Sequence, residues 1–189
     1  HRDPAREPCF EVVNLDTEMH EYPDMSDISR RERLHRHMNN ETGALEIAAF
    51  YGNFIGPYQP PGSYDEWLAL PENALAAATN GKVFQDPLGE FTKIRRALLQ
   101  FYPEDVRLKK IASRCMTLGR EGQYNFSRCV KRGEFYAAQY AETKFCADAM
   151  SLAFLLNKHY APFYKWTHRA LKELPHLGDY LYHCISGLV

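Results

Sequence analysis

The chain has 189 residues, 45% hydrophobic and 25% charged, enough for one good core or one core with an appendage, as in an ordinary water-soluble globular protein. Its net charge of −1 is unevenly laid out: residues 1–66 carry 6 Lys/Arg against 13 Asp/Glu, and residues 67–189 carry 17 against 11. The five cysteines stand as isolated singletons, which excludes CxxC and zinc-finger chemistry and fits small buried thiols in a reducing cytoplasm.

The charge layout suggests that the basic part meets something acidic, with a solvated helical surface beside an acidic leader as the alternative. No apolar leader opens the chain, and the longest apolar run, about ten residues, is too short to cross a bilayer. The chain starts without Met and stops inside a helical pattern, as expected of a piece of a longer protein.

Residues 1–27 are rich in Pro, Asp and Glu, with one plausible strand at Cys9–Leu15. Asp16 and Glu18 follow it with both side chains projecting to one face, a possible divalent-metal pair or merely an acidic loop. Ser26 and Asp27 cap a short basic helix, Ile28–Met38. His35 and His37 would stand about 200° apart there, poor chelating geometry, so a solvated face is the better reading. A turn at residues 39–43 leads to Ala44–Phe50, whose alternation predicts a strand. Pro57, Pro60, Pro61 and Gly62 then form a loop that no helix crosses. The main boundary falls here, between an acidic N-terminal segment, 1–56, with one or two short strands, and a helical domain, 57–189.

From Tyr64 onward the helical period dominates. Pro71 and Asn80-Gly81 frame one helix. Phe91, Ile94, Leu98 and Phe101 make the stripe of the next, which Pro103 stops. Glu104 and Asp105 open a third, striped by Leu108, Ile111, Cys115 and Leu118, which Gly119 and Gly122 break or bend before Gln123–Lys131. Arg132-Gly133-Glu134 reads as a tight reversal, so the longest helix returns antiparallel and ends near Tyr160. It is apolar on nearly every side from Ala147 to Leu156, the mark of a helix at the centre of a bundle. A stripe of Phe163, Trp166, Ala170 and Leu174 and a last helix from Asp179 complete the pattern. The fold expected is mainly α, an antiparallel helical bundle around one long buried helix with a small irregular or β-containing N-terminal segment.

Two basic faces stand out: Arg107, Lys110 and Arg114 at i, i+3, i+7, and Asn125, Arg128 and Arg132 at the same spacing. Converging guanidinium and ammonium groups suit phosphate, whereas salt bridges to Glu90, Glu104 and Glu121 are the plainer use. A groove lined by Gln123, Tyr124, Asn125, Arg128, Arg132, Asn157, Lys158 and Lys165 is the candidate nucleotide-binding site. Lys144 and Asp148, four apart, read as a structural pair, or with Asp148 accepting a proton from a substrate hydroxyl. Tyr160, Phe163, Tyr164 and Trp166 serve helix packing, or base stacking. No catalytic residue and no metal ligand set is assigned. Glycine-rich phosphate loops and a GxSxG elbow are absent. Arg30 and His35 superficially fit the spacing of helical ribonucleases, which leaves RNA binding or cleavage as a further alternative.

The strings Asn80-Gly81-Lys82-Val83-Phe84-Gln85-Asp86, Phe101-Tyr102-Pro103-Glu104-Asp105-Val106-Arg107, Gly122-Gln123-Tyr124-Asn125 and Leu155-Leu156-Asn157-Lys158-His159-Tyr160-Ala161-Pro162 carry a resemblance. Over roughly Leu45 to Leu177 the chain resembles the helical domain of an uncharacterised bacterial domain-of-unknown-function family. In that family the domain follows a nucleotidyltransferase-like domain of the DNA polymerase beta superfamily. The resemblance implies a cytoplasmic accessory domain that binds nucleotide phosphates or the acceptor substrate, with Mg²⁺ and a nucleoside triphosphate as cofactors of the full-length protein. Its Gly-Ser and acidic-pair motif is not visible here: Gly62-Ser63 is followed by Asp65-Glu66 too soon. Segment 1–56 would then be the tail of the nucleotidyltransferase-like domain, with that domain or a small-molecule acceptor as partner. A non-catalytic interaction module with a basic groove is the reading from a different class.

Overall fold

A computed structural model describes residues 45–56 and 58–188. The strand at Cys9–Leu15, the Asp16/Glu18 pair, the helix Ile28–Met38 with His35 and His37, and the Arg30/His35 pair lie outside the described residues. What is described is mainly helical, with no strand among those residues.

The chain divides into two compact units, one taking in the chain up to Pro61 and Ala77–Gln100, the other Gly62–Ala76 and Phe101–Val189. In the first, α1 (Ile47–Ile55) replaces the strand expected at Ala44–Phe50. The reason lies in its buried residues, Ile47, Phe50, Tyr51 and Ile55, which recur at i, i+3, i+4 and i+8 and so line one side of a helix. Phe50 and Tyr51 pack on Phe91 of α4 (Glu90–Leu99), and the Tyr51 hydroxyl donates to the Phe91 carbonyl at 3.1 Å. The expected stripe Phe91, Ile94 and Leu98 is the buried face of α4. Asp86 accepts from the backbone N–H groups of Gly89 and Thr92 at 2.9 and 2.7 Å, closing the start of that helix. Burial raises the pKa of Asp86, yet these bonds bring it net below the usual carboxylate range.

The second unit opens with α2 (Tyr64–Ala69), started by a capping box in which Ser63 and Glu66 satisfy each other's backbone N–H groups. That is the structural use of the Gly62-Ser63-Tyr64-Asp65-Glu66 string. The first residues of α3 (Glu72–Thr79) follow. The chain then runs without a break through α5 (Glu104–Leu118), a π-helical stretch Gly119–Phe126 and α6 (Ser127–Lys131). Gly119 and Gly122 therefore widen a continuous helix rather than break it. At Gly133 (φ 74°) the Gly133 N–H donates to Val130 and the Glu134 N–H to Cys129, a Schellman reversal. α7 (Phe135–Leu156) returns alongside α5 and the π stretch, antiparallel as expected.

α7 is two helices in one. Its second half buries Asp148, Ser151, Ala153, Phe154 and Leu155, with Ala153 and Phe154 in a core with Ala161, Leu171 and Leu174. Its first half leaves Phe135, Tyr136 and Tyr140 exposed. It ends at Leu156, earlier than the sequence pattern suggests, and α8 (Tyr164–Ala170), a 3₁₀ turn (Leu171–Glu173) and α9 (Gly178–Ser186) complete the unit. Asn157 ties this tail to the end of α7: its amide donates to the Ala153 and His176 carbonyls and its oxygen accepts from the His176 N–H.

Candidate functional site

The stripe expected to bury α5 is not its inner face. Leu108 is 53% exposed, whereas the side chains of Arg107 and Lys110 keep only 14% and 16% of their surface. The basic face Arg107, Lys110, Arg114 is turned into the unit, its alkyl stems packed and its heads paired. Arg107 pairs with Glu104 at 2.5 Å and donates to the Leu155 carbonyl at 3.4 Å.

Arg114 holds the centre. Its Nη1 donates to Asp148 Oδ1 at 2.9 Å, its Nε donates to Ser151 Oγ at 3.0 Å, and its Nη2 lies 3.5 Å from Glu72 Oε1. Ser151 Oγ donates in turn to Glu72 Oε2 at 3.1 Å, and Lys110 Nζ stands 3.8 Å from Glu72 Oε1. The same ammonium lies 4.9 Å from the ring centre of Tyr102, which is packed edge-on by Trp67 and Tyr160. α3, α5 and α7 thus converge on two carboxylates, two cations and a phenol. Asp148 is not paired with Lys144, as its spacing suggests; Lys144 reaches Glu121 at 3.5 Å.

Three polar atoms of this cluster are buried without a hydrogen-bond partner: Glu72 Oε1, Asp148 Oδ2 and the Tyr102 hydroxyl. Burial, and then the Glu72 charge, hold the Tyr102 hydroxyl well above the usual phenol range, so it stays protonated and able to donate. Burial lowers the affinity of Lys110 for its proton, partly offset by Glu72. Buried polar groups are nearly always paired; Glu72 Oε1 stands in ion-pair range of Arg114 and Lys110, which leaves Asp148 Oδ2 and the Tyr102 hydroxyl with neither a hydrogen bond nor an ion pair. Two cations already facing the carboxylates make the cluster a poor holder of Mg²⁺. No three His, Cys, Asp or Glu residues among the described residues stand together as metal ligands would.

The residues proposed to line a nucleotide groove divide into two groups. Arg128 and Arg132 lie at the reversal end of the hairpin, and Gln123, Tyr124 and Asn125 in the π stretch that faces the middle of α7; Asn157 and Lys158 close the other end of α7, and Lys165 follows on α8. The two ends of the 22-residue α7 are about 30 Å apart, so Arg132 stands far from Asn157 and Lys158, while the π-stretch residues stand part-way between, opposite Glu142 and Phe145. Antiparallel packing joins Lys158 to the Glu104/Arg107 end of α5 instead, where its charge lowers the pKa of Glu104 behind the larger effect of the Arg107 hydrogen bond. Within the first group, Arg128 stacks over Tyr124 and bonds its hydroxyl, Asn125 donates to Glu121 at 2.7 Å, and Gln123 and Arg132 are exposed. Tyr160 packs on Phe101 and Tyr102, while Phe163 and Tyr164 are exposed against each other. Sequence reasoning missed Glu72 and Ser151 as partners of Arg114, because nothing local links positions 42 and 37 residues apart.

The model of a family described as a domain of unknown function, DUF4037, matches residues 67–167. The chain belongs to that family. All five charged and hydroxyl residues around Arg114, from Glu72 to Ser151, lie inside the DUF4037 match, as do both groups of cations. No curated protein and no solved structure matches the chain. No helix among the described residues of this DUF4037 chain is long and apolar enough to cross a membrane.

Proposed function

We propose that this chain is the accessory helical domain of a nucleotidyltransferase-like protein, and that the cluster around Arg114 receives the acceptor substrate. The observation that carries the assignment to the acceptor is three buried atoms with no hydrogen bond, Glu72 Oε1, Asp148 Oδ2 and Tyr102 OH, the first of them already in ion-pair range of Arg114 and Lys110. Two are carboxylate oxygens, which only accept, so they favour a guest that brings hydroxyl or amine protons. A phosphate would instead have to displace Glu72 and Asp148 from Lys110 and Arg114, which are already neutralised. Asp148 would orient the acceptor hydroxyl and take up its hydrogen bond. The Mg²⁺-bound triphosphate belongs, on this reading, to the nucleotidyltransferase-like partner, and no step of the reaction runs through this chain's own carboxylates as metal ligands.

Thermal melting with Mg-ATP and, separately, with a panel of sugars and amino sugars tests this. A member of the panel is expected to raise the melting temperature saturably, with the rise lost in Asp148→Asn and kept in Arg128→Ala. A rise produced by Mg-ATP alone, lost in Arg128→Ala and kept in Asp148→Asn, would move the site to the reversal end and overturn the assignment.

The interaction-module reading draws on a separate observation. Phe135, Tyr136 and Tyr140 are 72%, 85% and 65% exposed beside Arg128, Lys131 and Arg132. Rings and cations at one hairpin end suit an acidic partner or single-stranded RNA. Salt-sensitive binding of a labelled oligouridine, lost in Tyr136→Ser/Tyr140→Ser, would support it. Binding unaffected by that double change would remove it.

A further inference from the structure

Between the π-helical stretch and α7 lies a cavity of about 600 Å³. Pockets for small organic molecules fall at roughly 300–1,000 Å³. Its walls are apolar, formed by Leu118, Phe126 and Phe145, and its floor is bare backbone at Gly119 and Gly122. A Cβ on Gly119 would meet nothing within 4 Å, so a side chain there would project into open space. One on Gly122 would stand 2.7 Å from the Phe145 ring, so that glycine lets the ring approach the helix backbone closely. The π winding costs hydrogen-bond geometry, and such stretches concentrate at functional sites.

The charged side chain in the cavity wall is Glu142, half-buried and, among the described residues, without an ion-pair partner. Lys144, two residues on, is engaged with Glu121 and does not neutralise it. Gln123 adds an amide. We infer that this cavity is a binding site for a small amphipathic cation, its apolar body against Leu118, Phe126 and Phe145 and its ammonium head on Glu142. The occupant follows from the lining: apolar walls with a single anionic group disfavour an acid, and a neutral donor gives Glu142 a hydrogen bond without the opposite charge that an ammonium brings. The site is separate from the acceptor cluster and does not depend on it.

Calorimetric titration with three molecules of one shape, 4-phenylbutylamine, 4-phenylbutanol and 4-phenylbutyrate, tests the inference. The amine is expected to bind about fivefold more tightly than the alcohol, the fold-change of a partly exposed ion pair, with the acid weakest. Glu142→Gln is expected to erase the amine's advantage. Gly119→Leu, at a residue with helical φ and ψ of −61° and −44°, fills the space and is expected to abolish binding of all three with the melting temperature kept or raised. Cys115→Phe, from an exposed position one helical turn before Gly119 in the same wall, gives the same readout should the first variant fold poorly. Equal affinity for amine and acid, no binding by any of the three, or undiminished amine binding in a folded filled variant overturns the inference. Loss of amine binding in Asp148→Asn but not in Glu142→Gln would do so too, by placing the head group in the neighbouring cluster.

Discussion

Arg114 Nη1 donates to Asp148 Oδ1 at 2.9 Å across 34 residues of sequence, and the same guanidinium reaches Ser151 and Glu72. One planar cation thereby fastens α5 to α7 and to the start of α3. Its fork geometry is what allows three partners at once.

Removing that cation takes from Asp148 its ion-pair partner and from Glu72 one of two, with both carboxylate side chains mostly buried. Loss of one partner of a buried pair costs about 3–5 kcal/mol. Arg114 keeps 36% of its side-chain surface, so water recovers part of this. Arg114→Gln is expected to lower unfolding stability by about 2–3 kcal/mol in urea titrations. Arg114→Lys should recover less than half, since an ammonium cannot serve Asp148, Ser151 and Glu72 together. A double-mutant cycle with Asp148→Asn should show coupling above about 0.5 kcal/mol; strict additivity would mean that the pair is not formed.

Glu121 gives the chain an acid-sensitive joint. Asn125 Nδ2 at 2.7 Å, then Arg120 Nε at 3.0 Å and Lys144 Nζ at 3.5 Å, hold its carboxyl below the usual range against the opposing effect of burial. A carboxyl whose folded pKa is depressed contributes stability that is fully present above its unfolded value, near 4.3, and is lost as pH falls through the folded one. The stability advantage of the wild type over Glu121→Gln, read from urea midpoints, is therefore expected to be constant from pH 7 to about pH 5 and to shrink towards pH 3.

The helical architecture was legible wherever glycine or an apolar stripe marks it. The reversal at Gly133 and the buried face Phe91, Ile94 and Leu98 were both readable, because a positive φ demands glycine and period 3.6 demands a stripe. The orientation of α5 was not readable. Lys110 and Arg114 look like a solvated face in one dimension, and only partners from other helices, Glu72, Asp148 and Ser151, make burying them favourable. The strand expected at Ala44–Phe50 failed for a related reason: Leu45 and Ile47 alternate, but the helical period completes only with Tyr51 and Ile55 beyond it. The proposed groove depended on distance along a helix, and spacing alone does not bring the two ends of a 22-residue helix together.

Asn157, a member of the proposed groove, has its amide committed to structure. Its three hydrogen bonds to Ala153 and His176, at 2.8 to 2.9 Å, hold the segment before α9 against the end of α7. At about 1 kcal/mol per net hydrogen bond, Asn157→Ala is expected to cost about 2–3 kcal/mol. Hydrogen exchange should show lost protection at His176 and through Gly178–Ser186 before the rest of the chain. Unchanged stability would free Asn157 for a ligand after all.

Lys158 separates structure from binding most sharply. Its φ is 54°, the left-handed conformation, and its N–H donates to Leu155 while the His159 N–H donates to Phe154. These are the two bonds of a Schellman cap, with lysine where glycine is usual, which is why the end of α7 was hard to see in the sequence. An L-residue pays roughly 1–2 kcal/mol for that conformation, less in context, so Lys158→Gly is expected to stabilise the chain by about 1 kcal/mol. The measurement is a thermal melt with and without Mg-ATP. If Lys158 served only the cap, the variant should melt higher and any nucleotide response should be unchanged. If its ammonium met phosphate, the variant should melt higher alone and lose the response. A variant that melts lower would show that the lysine side chain supports the end of α7 through its charge on Glu104 more than its backbone strains it.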